Sequence, residues 1–202
     1  ANAPNQFMIN IEPDQLQGLK AFFQAEVGQE PFSLPLIRGR LTGVNGKPVK
    51  DVKVANAQGA AFLQREANLT WTDTLPASNV VTAGEWWGTG YSGPLRLSLD
   101  AELATNLGVK VGDSRTFNVA GEDIRAPITS LRVIEWDSFQ PNFYVVLSPG
   151  VAADLPQTYL ASAYVPRDRV EMLSRLVRQF PGVTVLDLEV ILPQKRHHAV
   201  GC

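Results

Sequence analysis

The chain has 202 residues, 45% hydrophobic and 19% charged, enough to bury the core of one large domain or two small ones. Eighteen Lys and Arg against twenty Asp and Glu leave a net charge of −2, which argues against a nucleic-acid binder. The single cysteine, Cys202, excludes an internal disulfide framework, and the only histidines, His197 and His198, lie in the same tail, which removes most metal and nucleophile–histidine chemistry from the body of the chain.

No apolar run approaches the roughly 18 to 20 residues that span a bilayer. The first six residues have neither a cationic start nor an apolar stretch, so no signal peptide is read. Without an initiating Met the chain is expected to be a processed protein or an excised piece of a longer one. Phe7–Ile11 reads as a short strand. Pro13 and Asp14 suit a helix's first turn, and Leu16, Leu19, Phe23 and Val27 recur at helical spacing until Gly28 stops them. An apolar run from Phe32 to Leu41 follows, and Asn45-Gly46 signals a hairpin returning through Val49 to Val54.

Ser78 to Gly93, with four glycines and a Trp pair, reads as an irregular loop. Leu95 to Leu99 is read as a strand leading into a helix capped by Ser98 or Asp100, carrying Leu103 and Leu107 and ending at Gly108. Arg115–Val119, Ile124–Ile134 and Phe143–Leu147 follow as β segments. The opening pattern then recurs: strand Tyr159–Val165, Pro166, a helix with Val170, Leu173, Leu176, Val177 and Phe180 as its apolar stripe, a stop at Pro181-Gly182, and strand Val183–Leu186. The fold expected is α+β: a split βαβ, ferredoxin-like subdomain with an inserted small β-rich subdomain carrying one helix. Residues 1–58 and 155–188 form the first, 59–154 the second, and 189–202 a disordered or foreign tail.

Few motifs carry chemistry. Gly88-Thr89-Gly90-Tyr91-Ser92-Gly93 spells a dinucleotide fingerprint, but Pro94 and a strand-like stretch stand where that motif needs a helix N-terminus. Asn68-Leu69-Thr70 is a glycosylation triplet without a secretory context. His197, His198 and Cys202 sit together in a tail read as inert. Of the carboxylate pairs, Glu66 with Asp73, Glu122 with Asp123 and Glu135 with Asp137, the last flanks Trp136 at strand spacing, which would point both acids to one face. Trp86, Trp87, Trp136, Phe139, Phe143 and Tyr144 lie in or beside Pro- and Gly-containing segments and form a candidate aromatic contact surface. Adjacent Trp86 and Trp87 in a strand would face opposite sides.

Four blocks carry a family resemblance: Phe7-Met8-Ile9-Asn10-Ile11-Glu12-Pro13-Asp14-Gln15 with Ile37-Arg38-Gly39-Arg40-Leu41 and Val44-Asn45-Gly46-Lys47-Pro48-Val49; Arg65-Glu66-Ala67-Asn68-Leu69-Thr70-Trp71 with Gly84-Glu85-Trp86-Trp87; Trp136-Asp137-Ser138-Phe139-Gln140-Pro141-Asn142-Phe143; and Thr158-Tyr159-Leu160 with Phe180-Pro181-Gly182-Val183-Thr184-Val185-Leu186-Asp187. In order and spacing, from about Asn5 to about Leu188, they resemble a periplasmic domain of the YbbP-type ABC transporter permeases, within the wider FtsX/MacB-like superfamily. The resemblance implies a domain held between transmembrane helices on the periplasmic face of the bacterial inner membrane, coupled through the permease to a cytoplasmic ATPase. It implies movement transmitted to the domain rather than chemistry in it, a periplasmic esterase of the lysophospholipase or thioesterase class as partner, and lipidic or hydrophobic substrates. It carries over no catalytic residue, cofactor or metal. The segment Trp136 to Phe143, with Asp137, Phe139 and Asn142, is the expected contact surface; Trp86, Trp87, Arg38 and Arg40 are further candidates. Two other functions compete with this one. One is a free-standing periplasmic lipid- or ligand-binding module with a cleft lined by Trp86, Trp87 or Trp136; the other is a hydrolase using Glu135 and Asp137.

Overall fold

A computed structural model describes residues 2–191. In chain order they form β1 (Gln6–Ile11), α1 (Leu16–Val27), β2 (Phe32–Val44), β3 (Lys47–Pro48), α2 (Ala57–Gln64), β4 (Glu66–Trp71) and β5 (Asn79–Gly84). Then follow β6 (Leu97–Asp100), α3 (Ala101–Leu107), β7 (Ser114–Val119), β8 (Glu122–Ile134), β9 (Val145–Leu147), β10 (Thr158–Ala163), α4 (Met172–Gln179) and β11 (Thr184–Asp187), with a last helical turn at Leu188–Ile191. The chain is therefore mixed α/β, and it divides into two compact units. The first takes the described residues up to Leu36, Trp136–Pro141 and those from Gln157 on; the second takes Ile37–Glu135 and Asn142–Pro156. The division falls inside β2.

In the first unit the strand order is β11-β1-β10-β2, with every pair antiparallel. Its two β–α–β runs, β1-α1-β2 and β10-α4-β11, interleave in one sheet, and the ferredoxin-like description applies to this unit alone. The entry to α1 is a capping box: Glu12 N–H donates to Gln15 Oε1 at 3.0 Å across the 3-10 turn Pro13–Gln15. Its exit is Gly28 at φ 74°, whose N–H reaches the Gln24 carbonyl at 3.0 Å, a left-handed cap that glycine adopts without a Cβ clash. Leu16, Leu19 and Phe23 are buried with Met8, Ile11, Met172, Leu176 and Phe180. The expected stripe of α4 shifts. Arg167–Arg169 forms a 3-10 turn and the α-helix begins only at Met172, so Met172, Leu176 and Phe180 point inward while Val170 and Val177 stay exposed. Arg169 and Arg175 both reach the Glu26 carboxylate, at 3.2 and 2.7 Å. The hydrogen bond from Arg175 holds that carboxyl below its usual value, against an opposing desolvation, and the cluster lies on the surface.

The second unit corrects the expectation of a small β-rich insert with one helix. β2, β4, β9, β6, β8 and β7 pair in that order, and β7 pairs back onto β2, closing a six-stranded barrel. Two of the six pairings, β4 with β9 and β6 with β8, are parallel. Closure leaves these strands no free edge, and β5 extends β8 outside the ring. Ile37, Leu41, Leu69, Leu97, Leu99, Phe117, Ile128, Val145 and Leu147 belong to its buried core. Two helices accompany the barrel rather than one. Asn56 caps α2 by accepting from Gly59 N at 3.1 Å, and Asp100, not Ser98, caps α3 by accepting from Leu103 N at 2.8 Å. A Cβ on Gly59 would sit 2.3 Å from the Asn106 carbonyl oxygen, so the close approach of α2 to α3 requires glycine there.

Two further expectations change. The strand returning from Asn45-Gly46 is only Lys47–Pro48, because Val49–Asp51 turns into a 3-10 helix. The segment read as a loop from Ser78 begins with a strand, β5, whose β-branched Val80 and Val81 pair with Val133 and Arg132. The tail expected at 189–202 lies outside the described residues from 192 on, and with it His197, His198 and Cys202.

Candidate functional site

The inward face of β8 carries Ala126, Ile128, Ser130, Arg132 and Ile134, all buried. Arg132 donates Nε to Ser98 Oγ at 2.8 Å, Nη1 to Asn79 Oδ1, and Nη2 to the carbonyls of Ser98, Phe143 and Tyr144 at 3.2, 3.1 and 3.0 Å. Ser130 Oγ adds 2.7 Å to Ser98 Oγ, and Asn79 Nδ2 donates to Asn142 Oδ1 at 2.7 Å. One guanidinium thus ties together β5, β6, β8 and the start of the segment leading to β9. Burial pulls it down to about 10, with the charge of Asp100 opposing that. Burial likewise pushes the Asp100 carboxyl above its ordinary value, while the Leu103 amide and Arg132 pull it down. This network is structural, since each of these hydrogen bonds closes on a group of the same unit.

Arg115, on the inward register of β7 between Val44 and Ala126, is the contrasting case. It is 1% exposed and neither Nη1 nor Nη2 has a partner. Burial again brings the guanidinium to about 10, opposed by Asp113. Neither arginine was singled out in the sequence. The available signal was an arginine at an inward position of an otherwise alternating strand.

The expected contact residues are divided between the two units. Trp86 and Trp87 belong to the second unit; they do not face apart as strand neighbours would, because the chain leaves β5 at Gly84. Their rings stack at 4.0 Å, 29° from parallel. Each indole N–H is held at 2.9 Å by a carbonyl of the preceding turn, Trp86 by Asp73 and Trp87 by Thr72. Asp73 Oδ2 also accepts from Gly90 N at 3.1 Å, so the glycine-rich stretch is an anchored loop, with no helix following it. Arg38 and Arg40 are exposed on β2. Asn142 and Phe143 are buried at 1% and 2% in the second unit, where Asn142 bonds Ser78 and Asn79.

Trp136, Asp137 and Phe139 fall in the first unit. Trp136–Ser138 is a 3-10 helix, so the strand alternation expected to place Glu135 and Asp137 on one face is absent; both acids are exposed. Trp136 and Phe139 are half-buried. Phe139 has φ 59°, a region that a bulky side chain enters only under strain of order 1–3 kcal/mol. Its ring lines a cavity of about 120 Å³ with Pro4, Tyr164, Leu188 and Glu189. Pro4 and Tyr164 are shared with a second cavity of about 320 Å³, which Glu30, Phe32, Gln140 and Ser162 help to line. Among the described residues no group of three or more His, Cys, Asp or Glu side chains could hold a metal ion.

No protein-family model matches the chain. Over 193 residues, 95% of its length, it is 38% identical to the "Uncharacterized ABC transporter permease YbbP" of Escherichia coli strain K12. The chain is homologous to part of that permease. It spans about a fifth of it, 22% of the YbbP length, and the match takes in both compact units. No helix among the described residues is long and apolar enough to cross a membrane.

Proposed function

We propose that the chain is a non-catalytic domain of an ABC transporter permease of the bacterial inner membrane, lying on the periplasmic side. In the full transporter an ATPase subunit drives movement that this domain transmits, and the segment around Trp136, Asp137 and Phe139 docks a periplasmic partner or a hydrophobic substrate. The homology to YbbP supports the permease part. The docking part rests on Phe139: a bulky residue held at φ 59°, half-buried and lining a cavity, in a short segment between the exposed acid Asp137 and Pro141. Strain of that kind persists where the surroundings fix a side chain for use. The nature of the partner, including an esterase, rests on the family resemblance alone.

The test is substitution in the full-length permease with its ATPase. Trp136→Ala and Phe139→Ala are expected to leave basal ATP hydrolysis intact while reducing transport, or capture of a periplasmic partner, at least about tenfold, the loss of one aromatic anchor of a contact. If both variants behave like the wild type, the docking surface lies elsewhere.

The second reading is a ligand-binding module that holds its substrate itself. The cavity of about 320 Å³ in the first unit favours it, since it falls at the lower end of the range for small-molecule sites.

A further inference from the structure

We propose that the first unit binds an organic ammonium group in the cavity lined by Glu30, Phe32 and Tyr164. The inference rests on that cavity and goes beyond the permease reading. At about 320 Å³ the cavity accommodates a small polar ligand. Two aromatic rings on its wall are accessible, Phe32 at 47% and Tyr164 at 37% exposure. The structure places them on neighbouring strands or just beyond: Phe32 opens β2 and pairs with Ser162 of β10, and Tyr164 follows β10 by one residue.

Charge selects the ligand. Glu30 is the one charged residue lining this cavity among the described residues, and Glu189 is the one lining the adjoining cavity, which shares Pro4 and Tyr164. Among the described residues no Lys, Arg or His lines either. An anion would meet the carboxylates with no cation among those lining residues to offset them. A purely apolar ligand would cover polar groups of the wall such as Gln29 without offering them a hydrogen bond, which costs free energy. A metal ion would find a single carboxylate there. An ammonium compound meets a carboxylate for its charge, aromatic faces whose quadrupole attracts a cation, and amide and hydroxyl oxygens for any N–H. The shared chemistry is that of a primary or quaternary amine, free in solution or on a phospholipid headgroup.

The test is calorimetric titration of the full chain with choline and with ethanolamine, set against choline's uncharged isostere in which carbon replaces nitrogen. At least one ammonium compound is expected to bind saturably, at least about tenfold more tightly than the isostere. Glu30→Gln is expected to weaken binding about tenfold and Phe32→Leu severalfold, with thermal melts by circular dichroism unchanged from the wild type. Trp136→Ala, which probes the docking segment and does not line this cavity, is expected to leave binding unchanged, so failure of the docking reading and failure of this one are distinguishable. Co-sedimentation with vesicles of phosphatidylethanolamine and phosphatidylglycerol, against phosphatidylglycerol alone, separates the sources. Glu30-dependent recruitment to the former assigns a headgroup, and binding of the free amine alone assigns a small molecule. Equal binding of the isostere, unchanged binding by Glu30→Gln, or no binding in any arm overturns the proposal.

Discussion

Replacing Arg132 and Arg115 with methionine, one at a time, separates two effects that usually come together. Both guanidiniums are buried, and burial pulls both down from the usual arginine range to about 10. At about 1.4 kcal/mol per unit, each charged form is disfavoured in the fold by about 3 kcal/mol. The hydrogen bonds differ. Arg132 serves Asn79 Oδ1, Ser98 Oγ and the carbonyls of Ser98, Phe143 and Tyr144, whereas the terminal nitrogens of Arg115 serve nothing. Methionine at 132 leaves buried acceptors unpaired and is expected to destabilise the protein by about 3–5 kcal/mol, since stranding partners outweighs relief of the charge. Methionine at 115 strands no partner and fills a similar volume, so the relief dominates and stability rises by about 1–3 kcal/mol. Urea denaturation followed by tryptophan fluorescence reads both, provided the slope with urea stays constant. Equal destabilisation by the two variants would refute the reasoning, because it would mean that Arg115 is as well partnered as Arg132. The sign with pH is also fixed. A base whose folded pKa is depressed binds fewer protons folded than unfolded from about 10 up to the ordinary arginine range, so there the stability of the wild type rises with pH.

Asp100 behaves oppositely. Its carboxyl is raised from 3.8 by burial, so the folded state holds its proton more tightly and loses stability as pH climbs above 3.8 through the raised value. Asp100→Asn keeps an N-cap for α3 but cannot titrate, and the stability of the wild type minus that of the variant is expected to fall as pH rises above 3.8; a flat difference in urea melts sinks this assignment. Gly59→Ala, which in an open helix gains 0.5–1 kcal/mol, is expected here to lose about 1–3 kcal/mol, because the Asn106 carbonyl stands 2.3 Å from the new methyl; a more stable variant in the same melts shows that α3 yields freely. Trp86→Phe is expected to abolish an exciton couplet in the circular dichroism of the indole bands, since Trp86 and Trp87 stack at 4.0 Å; a couplet that survives in the variant arises elsewhere.

Much of the first unit was legible in the sequence. Leu16, Leu19 and Phe23 followed by Gly28, and the recurrence of strand, proline, helix and strand near the C-terminus, are local patterns that survive in the fold. Where local reading failed, a longer-range pairing decided. Six-strand closure depends on β7 meeting β2, residues more than seventy apart in the chain, which no periodicity records. α2 was missed because its glycine, a weak helix former, is there for the approach to Asn106. The acids Glu135 and Asp137 were paired on strand spacing, but the 3-10 turn at Trp136 breaks the alternation after Ile134. The candidate site was legible as to residue type only. The sequence pointed to aromatics near Trp136, yet the cavity depends on Glu30, Phe32 and Tyr164, which come together through the pairing of β2 with β10. Tyr164 and Phe32 carry no sequence signal that separates them from core aromatics.

The central claim is that this domain moves with, and does not perform, the chemistry of an ABC transporter. Hydrogen exchange of segment 136–141 in the full-length permease, embedded in lipid nanodiscs with its ATPase, tests it most directly. The account predicts that exchange in this segment changes when ATP is added and returns when hydrolysis is complete, while the isolated chain shows no response to ATP. Exchange that is indifferent to ATP in a complex turning over ATP would contradict it.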